Sequence, residues 1–260
     1  MLLAVDIGNT NITFGCYKED ELIFVSRMYT EKRKSSDEFA VKLLDMFSLY
    51  KVSADDFSGA ILSSVVPQLT DIISRAIKLT IGKNPLLVGK EHNGNLKVDI
   101  LPIEQLGADL ICGCVGAVKK HKLPCLVVDM GTATKILAID ENEYFVGCII
   151  SPGVKVSLDA LASNAALLPS ISFTKPKNVV GTNTVECMQS GSVYGAATMI
   201  DGLTRRMSDE LGFKSPTIVS TGGYSKGIIP CCETEIVYDE NLLLDGLREI
   251  YLKSKEKNYG

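Results

Sequence analysis

The fold of this chain is decided by the stretch AVDIGNTN at residues 4–11, which returns in altered form as VVDMGTAT at residues 127–134. Each copy has two apolar residues, an aspartate, one further residue and a glycine, and each leads into a second run rich in apolar residues. This pattern predicts a buried strand, a turn at the glycine and another strand. Because the unit occurs twice, we expect the chain to consist of two similar halves.

The rest of the chain alternates between strand-like and helix-like patterns. Helical spacing or start signals predict helices over residues 36–47, 69–79, 109–120, 190–211 and 241–253, and apolar runs predict strands over residues 60–66 and 217–220. Mixed strands and helices place the chain in the α/β class. We expect two domains, residues 1–118 and 119–260, with the boundary near the basic stretch at residues 119–122.

Composition excludes several classes of function. The 260 residues are 46% hydrophobic and 22% charged, with a net charge of −4 and no basic block, so the sequence predicts a globular protein that binds neither nucleic acid nor a membrane surface. No signal peptide or membrane span is expected. The eight cysteines lie mostly in apolar runs and form no Cys-x-x-Cys pair, which favours reduced thiols in the cytoplasm over disulfides or zinc.

The aspartate-glycine turns have a specific chemical use. A glycine after a buried strand lets backbone amides approach an anion, so the amides from Gly8 to Asn11 and the Thr10 hydroxyl can line a phosphate cradle. Asp6 would then face a magnesium ion that accompanies the phosphate. The alternative is an ordinary hairpin turn. Two such turns facing each other across a cleft would form an ATP site, and this duplication favours the functional interpretation over the hairpin.

The sequence resembles the actin and sugar-kinase superfamily of ATPases and, within it, the type III pantothenate kinases. The resemblance depends on eight segments that occur in the family's order rather than on any single motif. They are residues 6–11, 63–67, 107–109, 129–134, 152–153, 181–184, 221–223 and 242–247.

The resemblance implies a fold and an activity. The fold would be two duplicated actin-like (ribonuclease H-like) domains with an interdomain ATP cleft. The activity would be phosphorylation of pantothenate to 4'-phosphopantothenate by ATP and Mg²⁺, the first step of coenzyme A biosynthesis. A monovalent cation (K⁺ or NH₄⁺) and a homodimer are also implied. The helix predicted around residues 110–118 has few polar positions and is expected to be buried against another element.

The resemblance also implies roles for individual residues. Asp109 would be the catalytic base, Asp129 would bind the monovalent cation, and Asp6 would hold magnesium through water. Pantothenate would contact Gly107, Ala108, Asp109, Leu110 and Thr184. ATP would contact Asp6, Ile7, Gly8, Asn9, Thr10, Asn11, Ile12, Thr13, Thr132, Gly222 and Gly223. The structural alternatives are a helix N-cap for Asp109, a loop hydroxyl for Thr184 and a strand-to-helix turn for the two glycines.

Three positions depart from the family pattern. Leu110 stands where the family has an arginine, Lys135 stands where it has a threonine, and residues 98–102 lack an expected tyrosine. An arginine offers substrate a charged, fork-shaped donor that leucine cannot replace, although Lys135 could compensate for the lost charge. The alternative functions are therefore a noncatalytic regulatory homologue that binds ATP or pantothenate, or a kinase for a related acceptor.

Overall fold

A computed structural model describes residues 1–98 and 100–257 of the chain. Asp99, in the stretch that lacks the tyrosine, and the last three residues of the predicted second domain lie outside the described part. The chain forms two compact units, one made of residues 1–119 with the segment from Asn241 onward and the other of residues 120–240. None of the helices in the described ranges combines the length and apolar character that a membrane crossing requires.

Both units contain helices as well as strands. In chain order they are β1 (Leu2–Ile7), β2 (Asn11–Lys18), β3 (Glu21–Tyr29), α1 (Ser36–Leu49), β4 (Gly59–Ser64), α2 (Pro67–Ile81), β5 (Leu86–Leu87), β6 (Lys97–Val98), α3 (Ala108–Lys120), β7 (Cys125–Met130), β8 (Ala133–Ile139), β9 (Tyr144–Pro152), α4 (Val154–Asn164), α5 (Thr184–Leu211), β10 (Thr217–Thr221), α6 (Ser225–Ile228), β11 (Val237–Tyr238) and α7 (Leu242–Lys257).

The two units repeat one sheet topology. The strand order is β3-β2-β1-β4-β5 in the first unit, and the second contains the corresponding order β9-β8-β7-β10-β11. In both, three consecutive strands form an antiparallel meander. The strand β4 or β10 pairs in parallel with the first strand of the meander, and β5 or β11 pairs in parallel with β4 or β10. The α/β class and the two similar halves predicted from the repeated turn are therefore confirmed.

The alternation of side chains along β1 explains the two-layered core of the first unit. Leu3, Val5 and Ile7 pack into one apolar cluster with the buried faces of α1 and α2. Leu2 and Ala4 point to the opposite face, where they pack with side chains of α3 and α7. A strand covered on both faces explains why β1 is apolar almost throughout.

The last helix packs on the first unit, whereas the sequence-based division had assigned it to the second. Leu247 and Ile250 of α7 are fully buried in the cluster that contains Leu2 and Ala4. The backbones of α3 and α7 approach so closely that a Cβ atom on Gly246 would overlap the carbonyl oxygen of Cys112. The apolar surface of α3 is thus covered by an element of the same chain.

The second unit has a corresponding core. Leu126, Val128 and Ile136 of its sheet pack with Ala197 and Ile200 of α5. The helix α4 was not predicted from the sequence, and the predicted start of α5 at residue 190 lies six residues after the observed one. The helix α4 begins after a glycine with no side-chain cap, so the start signal on which sequence reasoning depends is missing.

Candidate functional site

The first glycine turn is fixed by backbone hydrogen bonds at both of its ends. The Gly8 N–H donates to the Asn11 carbonyl at 2.9 Å. Thr30, just after β3, donates its hydroxyl to the Gly8 carbonyl at 2.6 Å and its N–H to the Thr10 carbonyl at 2.9 Å. Asn9, Thr10 and Asn11 remain exposed. The turn is therefore rigid and accessible, and Thr30, which sequence reasoning missed, is one of the residues that shape it.

Asp6 lies near the end of β1 between two hydroxyl-bearing residues. Thr13 is its partner across the antiparallel pair with β2, and Ser63 is its partner across the parallel pair with β4. These are oxygen donors, which Mg²⁺ prefers, and a nucleotide-bound Mg²⁺ needs only one or two protein carboxylates. Within residues 1–98 and 100–257 no cluster of three His, Cys, Asp or Glu side chains could hold a metal ion on protein ligands alone. The side-chain oxygens at and beside Asp6 fit a magnesium ion whose other ligands are water and phosphate oxygens.

The second glycine turn is one residue shorter. In the first hairpin Ile7 pairs with Ile12, whereas in the second Met130 pairs with Thr134. The Gly131 N–H donates to the Ala133 carbonyl at 3.0 Å, and the Gly153 N–H donates to the Thr132 carbonyl at 3.0 Å. Thr132 is exposed at the tip of this turn. Its exposed position suits the predicted contact with a phosphate.

Asp129 has a different neighbour from Asp6. Its partner across the antiparallel pair is Lys135, whose Nζ lies 2.7 Å from Asp129 Oδ2, and its partner across the parallel pair is Thr221. The two charged side chains are only 13% and 14% exposed. A monovalent cation at Asp129 does not fit these residues, because a lysine ammonium already neutralises the carboxylate at hydrogen-bonding distance.

Asp109 lies in the first turn of α3. The helix begins at Ala108, so Asp109 is its second residue rather than its N-cap. Its Oδ1 accepts a hydrogen bond from the Leu110 N–H at 2.9 Å. A Cβ atom on Gly107 would lie 2.7 Å from the same oxygen, so a larger residue there would displace the Asp109 carboxylate from this position. The side chain of Leu110 is buried, with 8% exposed.

The buried thiol of Cys112 lies close enough to both Asp6 and Asp109 to be affected by their negative charges. Burial raises the pKa of this thiol well above its ordinary value, and the negative charges of Asp6 and Asp109 raise the pKa further. Cys112 lies three residues after Asp109 on α3 and is fully buried. Two of the predicted site carboxylates therefore lie in the neighbourhood of one buried cysteine, which sequence reasoning had not connected with the site.

Thr184 is the first residue of α5 and is exposed. The preceding Asn183 caps the helix by accepting a hydrogen bond from the Glu186 N–H at 3.1 Å. The Glu186 carboxylate accepts two hydrogen bonds from Thr182, and these lower its pKa. The helix start is therefore well ordered, but it lies on a different element from the β7–β8 turn and from the end of β10.

The end of β10 approaches the end of β7 at Gly222. This residue has a φ of +95°, and a Cβ atom on it would lie 2.5 Å from the Met130 carbonyl oxygen. The Tyr224 N–H donates to the same carbonyl at 3.2 Å. A Cβ atom on Gly223, by contrast, would meet nothing within 4 Å. The turn thus needs one glycine for its backbone, and the other leaves open space beside it.

Two sheets of one topology, each with an Asp-x-Gly hairpin at its centre, define an α/β fold of the actin-like ATPase and sugar-kinase type. Known structures agree with this assignment. An activator of 2-hydroxyisocaproyl-CoA dehydratase from Clostridium difficile, solved with bound ADPNP, has a TM-score of 0.57 at 12% identity and covers 99% of this chain and 97% of its own. Component A of (R)-2-hydroxyglutaryl-CoA dehydratase from Acidaminococcus fermentans has a TM-score of 0.58 at 15% identity, with 100% and 99% covered.

Sequence comparison narrows the class to a family. The family model for type III pantothenate kinase matches residues 2–206. Proteins named type III pantothenate kinase from Exiguobacterium sp. and Halalkalibacterium halodurans are 37% and 36% identical to this chain, covering 98% of it and 100% of their own lengths. The chain belongs to the type III pantothenate kinase family, as its resemblance had implied.

Proposed function

We propose that the protein transfers the γ-phosphoryl group of ATP to the primary hydroxyl of pantothenate in coenzyme A biosynthesis. The observation that supports this most directly is the hydrogen-bonded turn at residues 8–11 next to Asp6, with Asp6 and Asp109 both near the buried Cys112. Phosphoryl transfer depends on positioning and charge neutralisation more than on covalent chemistry. The reaction therefore needs few groups from the protein: a turn that binds phosphate, one carboxylate for a divalent metal and a second carboxylate for the acceptor hydroxyl.

Each residue has a proposed part in this reaction. The amides and side chains of residues 6–13 bind the phosphates of ATP, Thr132 contacts a phosphate, and Gly222 with Gly223 borders the adenosine. Asp6 would hold Mg²⁺ through water, and a bound Mg²⁺ would supply positive charge beside the transferred phosphoryl group. Gly107 and Ala108 border the acceptor with Asp109, as Thr184 does from α5.

Asp109 is the proposed base for the acceptor hydroxyl. The hydrogen bond from the Leu110 N–H fixes the orientation of the carboxylate, so that the group is positioned before the acceptor arrives. A carboxylate that accepts the hydroxyl proton contributes about 10²- to 10⁴-fold to the rate. The corresponding loss is expected when the carboxylate is replaced by an amide of the same shape.

A coupled assay tests the proposal. Purified protein with ATP, Mg²⁺ and pantothenate should release ADP, and mass spectrometry should find a phosphorylated pantothenate. Asp109→Asn should reduce turnover about 100-fold or more without lowering thermal stability. Asp37→Asn is the matched control, because Asp37 is also an acidic residue in the first turn of a helix. Equal turnover by Asp109→Asn and the wild type would contradict the role of the base.

The identity of Leu110 favours a second candidate. A leucine side chain has no charged donor to offer substrate at the position where an arginine was expected. The protein would then bind ATP or pantothenate without turnover, or phosphorylate a related acceptor. If calorimetry shows that ATP and pantothenate bind but the preparation releases no ADP, a regulatory function is supported. If ADP is released only with a hydroxyl acceptor other than pantothenate, a kinase for that related acceptor is supported.

Of the remaining expectations, the homodimer and the cytoplasmic location are kept in the proposal, and the monovalent cation at Asp129 is not. A homodimer in the cytoplasm remains our proposal, although the apolar face of α3 no longer argues for a dimer because α7 covers it. Light scattering at micromolar concentration tests the dimer, and a clean monomer would contradict it. A monovalent ion at Asp129 is not included, because the ammonium of Lys135 lies 2.7 Å from that carboxylate.

A further inference from the structure

The two central aspartates occupy equivalent places in the two sheets but have different cross-strand partners. Asp6 faces Thr13 across its hairpin, whereas Asp129 faces Lys135. On the other side the partners are similar, Ser63 for Asp6 and Thr221 for Asp129. The two aspartates can therefore be compared within one chain, because the residue across the hairpin carries a neutral hydroxyl at Asp6 and a positive charge at Asp129.

The Lys135 ammonium is well placed to act as a permanent counter-ion. Its 2.7 Å distance to Asp129 Oδ2 is that of a strong charge-assisted hydrogen bond. Both side chains are mostly shielded from water, so their attraction is weakened little by salt. The positive charge also reaches Cys148, where it lowers a thiol pKa that burial raises more strongly.

We propose that the ammonium of Lys135 replaces the monovalent cation at Asp129, so that the protein needs neither K⁺ nor NH₄⁺. A free ion at this carboxylate would have to displace the ammonium or lie beside a like charge, and both are unfavourable. The tethered charge is present at every salt concentration, whereas a free ion must be bound from solution. The turnover test of this inference rests on the proposed kinase function, whereas the thermal-unfolding test does not.

The first test measures turnover of the wild type. ADP release is followed with Mg²⁺, ATP and pantothenate while K⁺ replaces tetramethylammonium at constant ionic strength. The wild-type rate should change less than about twofold, because the required charge is already present. A rise of about tenfold or more with saturable dependence on K⁺ would overturn the proposal.

Substitutions at Lys135 sharpen the turnover test. Lys135→Thr recreates the arrangement at Thr13 and leaves room for an ion, so its rate should depend on K⁺ by about tenfold or more. Lys135→Met removes the charge but fills the space, so K⁺ should restore little activity. Lys155→Thr is the matched control, because Lys155 forms an exposed ion pair with Asp159 in the same unit. A Lys135→Thr variant that is fully active without K⁺ would contradict the proposal.

The second test needs no turnover and therefore separates this inference from the proposed function. Thermal unfolding is measured in K⁺ and in tetramethylammonium without nucleotide. K⁺ should leave the wild-type and Lys155→Thr melting temperatures within about 1 °C but raise that of Lys135→Thr by about 3 °C or more. Should Lys135→Thr fail to fold, the wild-type measurement still decides, since a melting temperature raised by K⁺ over tetramethylammonium would show that the ion binds despite Lys135.

Discussion

Replacing Gly222 with alanine should destabilise the second unit strongly. At a φ of +95° an alanine lies in a region that side chains disfavour, which costs about 1–2 kcal/mol. The added Cβ would also lie 2.5–2.7 Å from the backbone oxygen, carbon and nitrogen of Met130. Met130 ends β7, the central strand of its sheet between β8 and β10, so these atoms cannot move aside easily. Overpacking of this kind costs about a further 1–3 kcal/mol.

The combined cost of about 2–5 kcal/mol can be measured directly. Since about 1 kcal/mol changes the melting temperature of a chain of this size by about 2–4 °C, Gly222→Ala should melt at least about 4 °C below the wild type. Gly223→Ala is the matched control, because its Cβ would meet nothing within 4 Å. It should keep the wild-type melting temperature or raise it slightly. Equal melting temperatures for the two variants would refute the reasoning.

Three other predictions concern the core, the thiols and the response to acid. Leu247→Ala should cost the first unit about 2–5 kcal/mol in chemical unfolding, because this fully buried side chain ties α7 to the sheet. A thiol reagent at neutral pH should label the exposed Cys187 and Cys148 first and reach the buried Cys112 and Cys125 only on unfolding, since burial raises the pKa of Cys125 to about 12. Burial raises the pKa of Asp239, but hydrogen bonds from Lys120 and His121 outweigh burial, so that the pKa is lowered in the folded protein. The ionised Asp239 therefore stabilises the fold above about pH 4, and this stabilisation is lost as the pH falls through the folded pKa. In acid unfolding, Asp239→Asn should lose stability less steeply than the wild type.

The repeated hairpins could be predicted from sequence because their signals are local. An apolar run that ends in a glycine turn and leads into a second apolar-rich run suffices to define strand, turn and strand, and both hairpins are found as predicted. The predicted start of α3 near Asp109 is within one residue of the observed start at Ala108. In the structure, Asp109 accepts a hydrogen bond from the Leu110 N–H and is not the N-cap of the helix. Local hydrogen bonds of this kind follow from a few neighbouring residues.

Long-range packing could not be predicted in the same way. The apolar residues of α7 predict that the helix is buried but not against which sheet. Its place on the first unit depends on packing with Leu2 and Ala4 and on the close approach at Gly246 and Gly116, which join distant parts of the chain. The pairing of Lys135 with Asp129 depends on turn length. A turn one residue longer would have put a different residue opposite the aspartate, so the sequence identified Lys135 as unusual without giving its partner.

If the residue opposite each aspartate decides what that aspartate binds, placing a lysine opposite Asp6 should remove its capacity for magnesium. Thr13→Lys keeps the hairpin register, and a lysine across the strand pair would form an ion pair with Asp6 like that of Lys135 with Asp129. Calorimetry with ATP and Mg²⁺ should show an affinity at least about tenfold weaker, equivalent to about 1.4 kcal/mol, with the melting temperature preserved. Thr13→Val is the control, because it loses only the hydroxyl. Unchanged ATP affinity in the lysine variant would mean that the cross-strand residue does not control the charge available at Asp6, and the same argument for Lys135 would then fail.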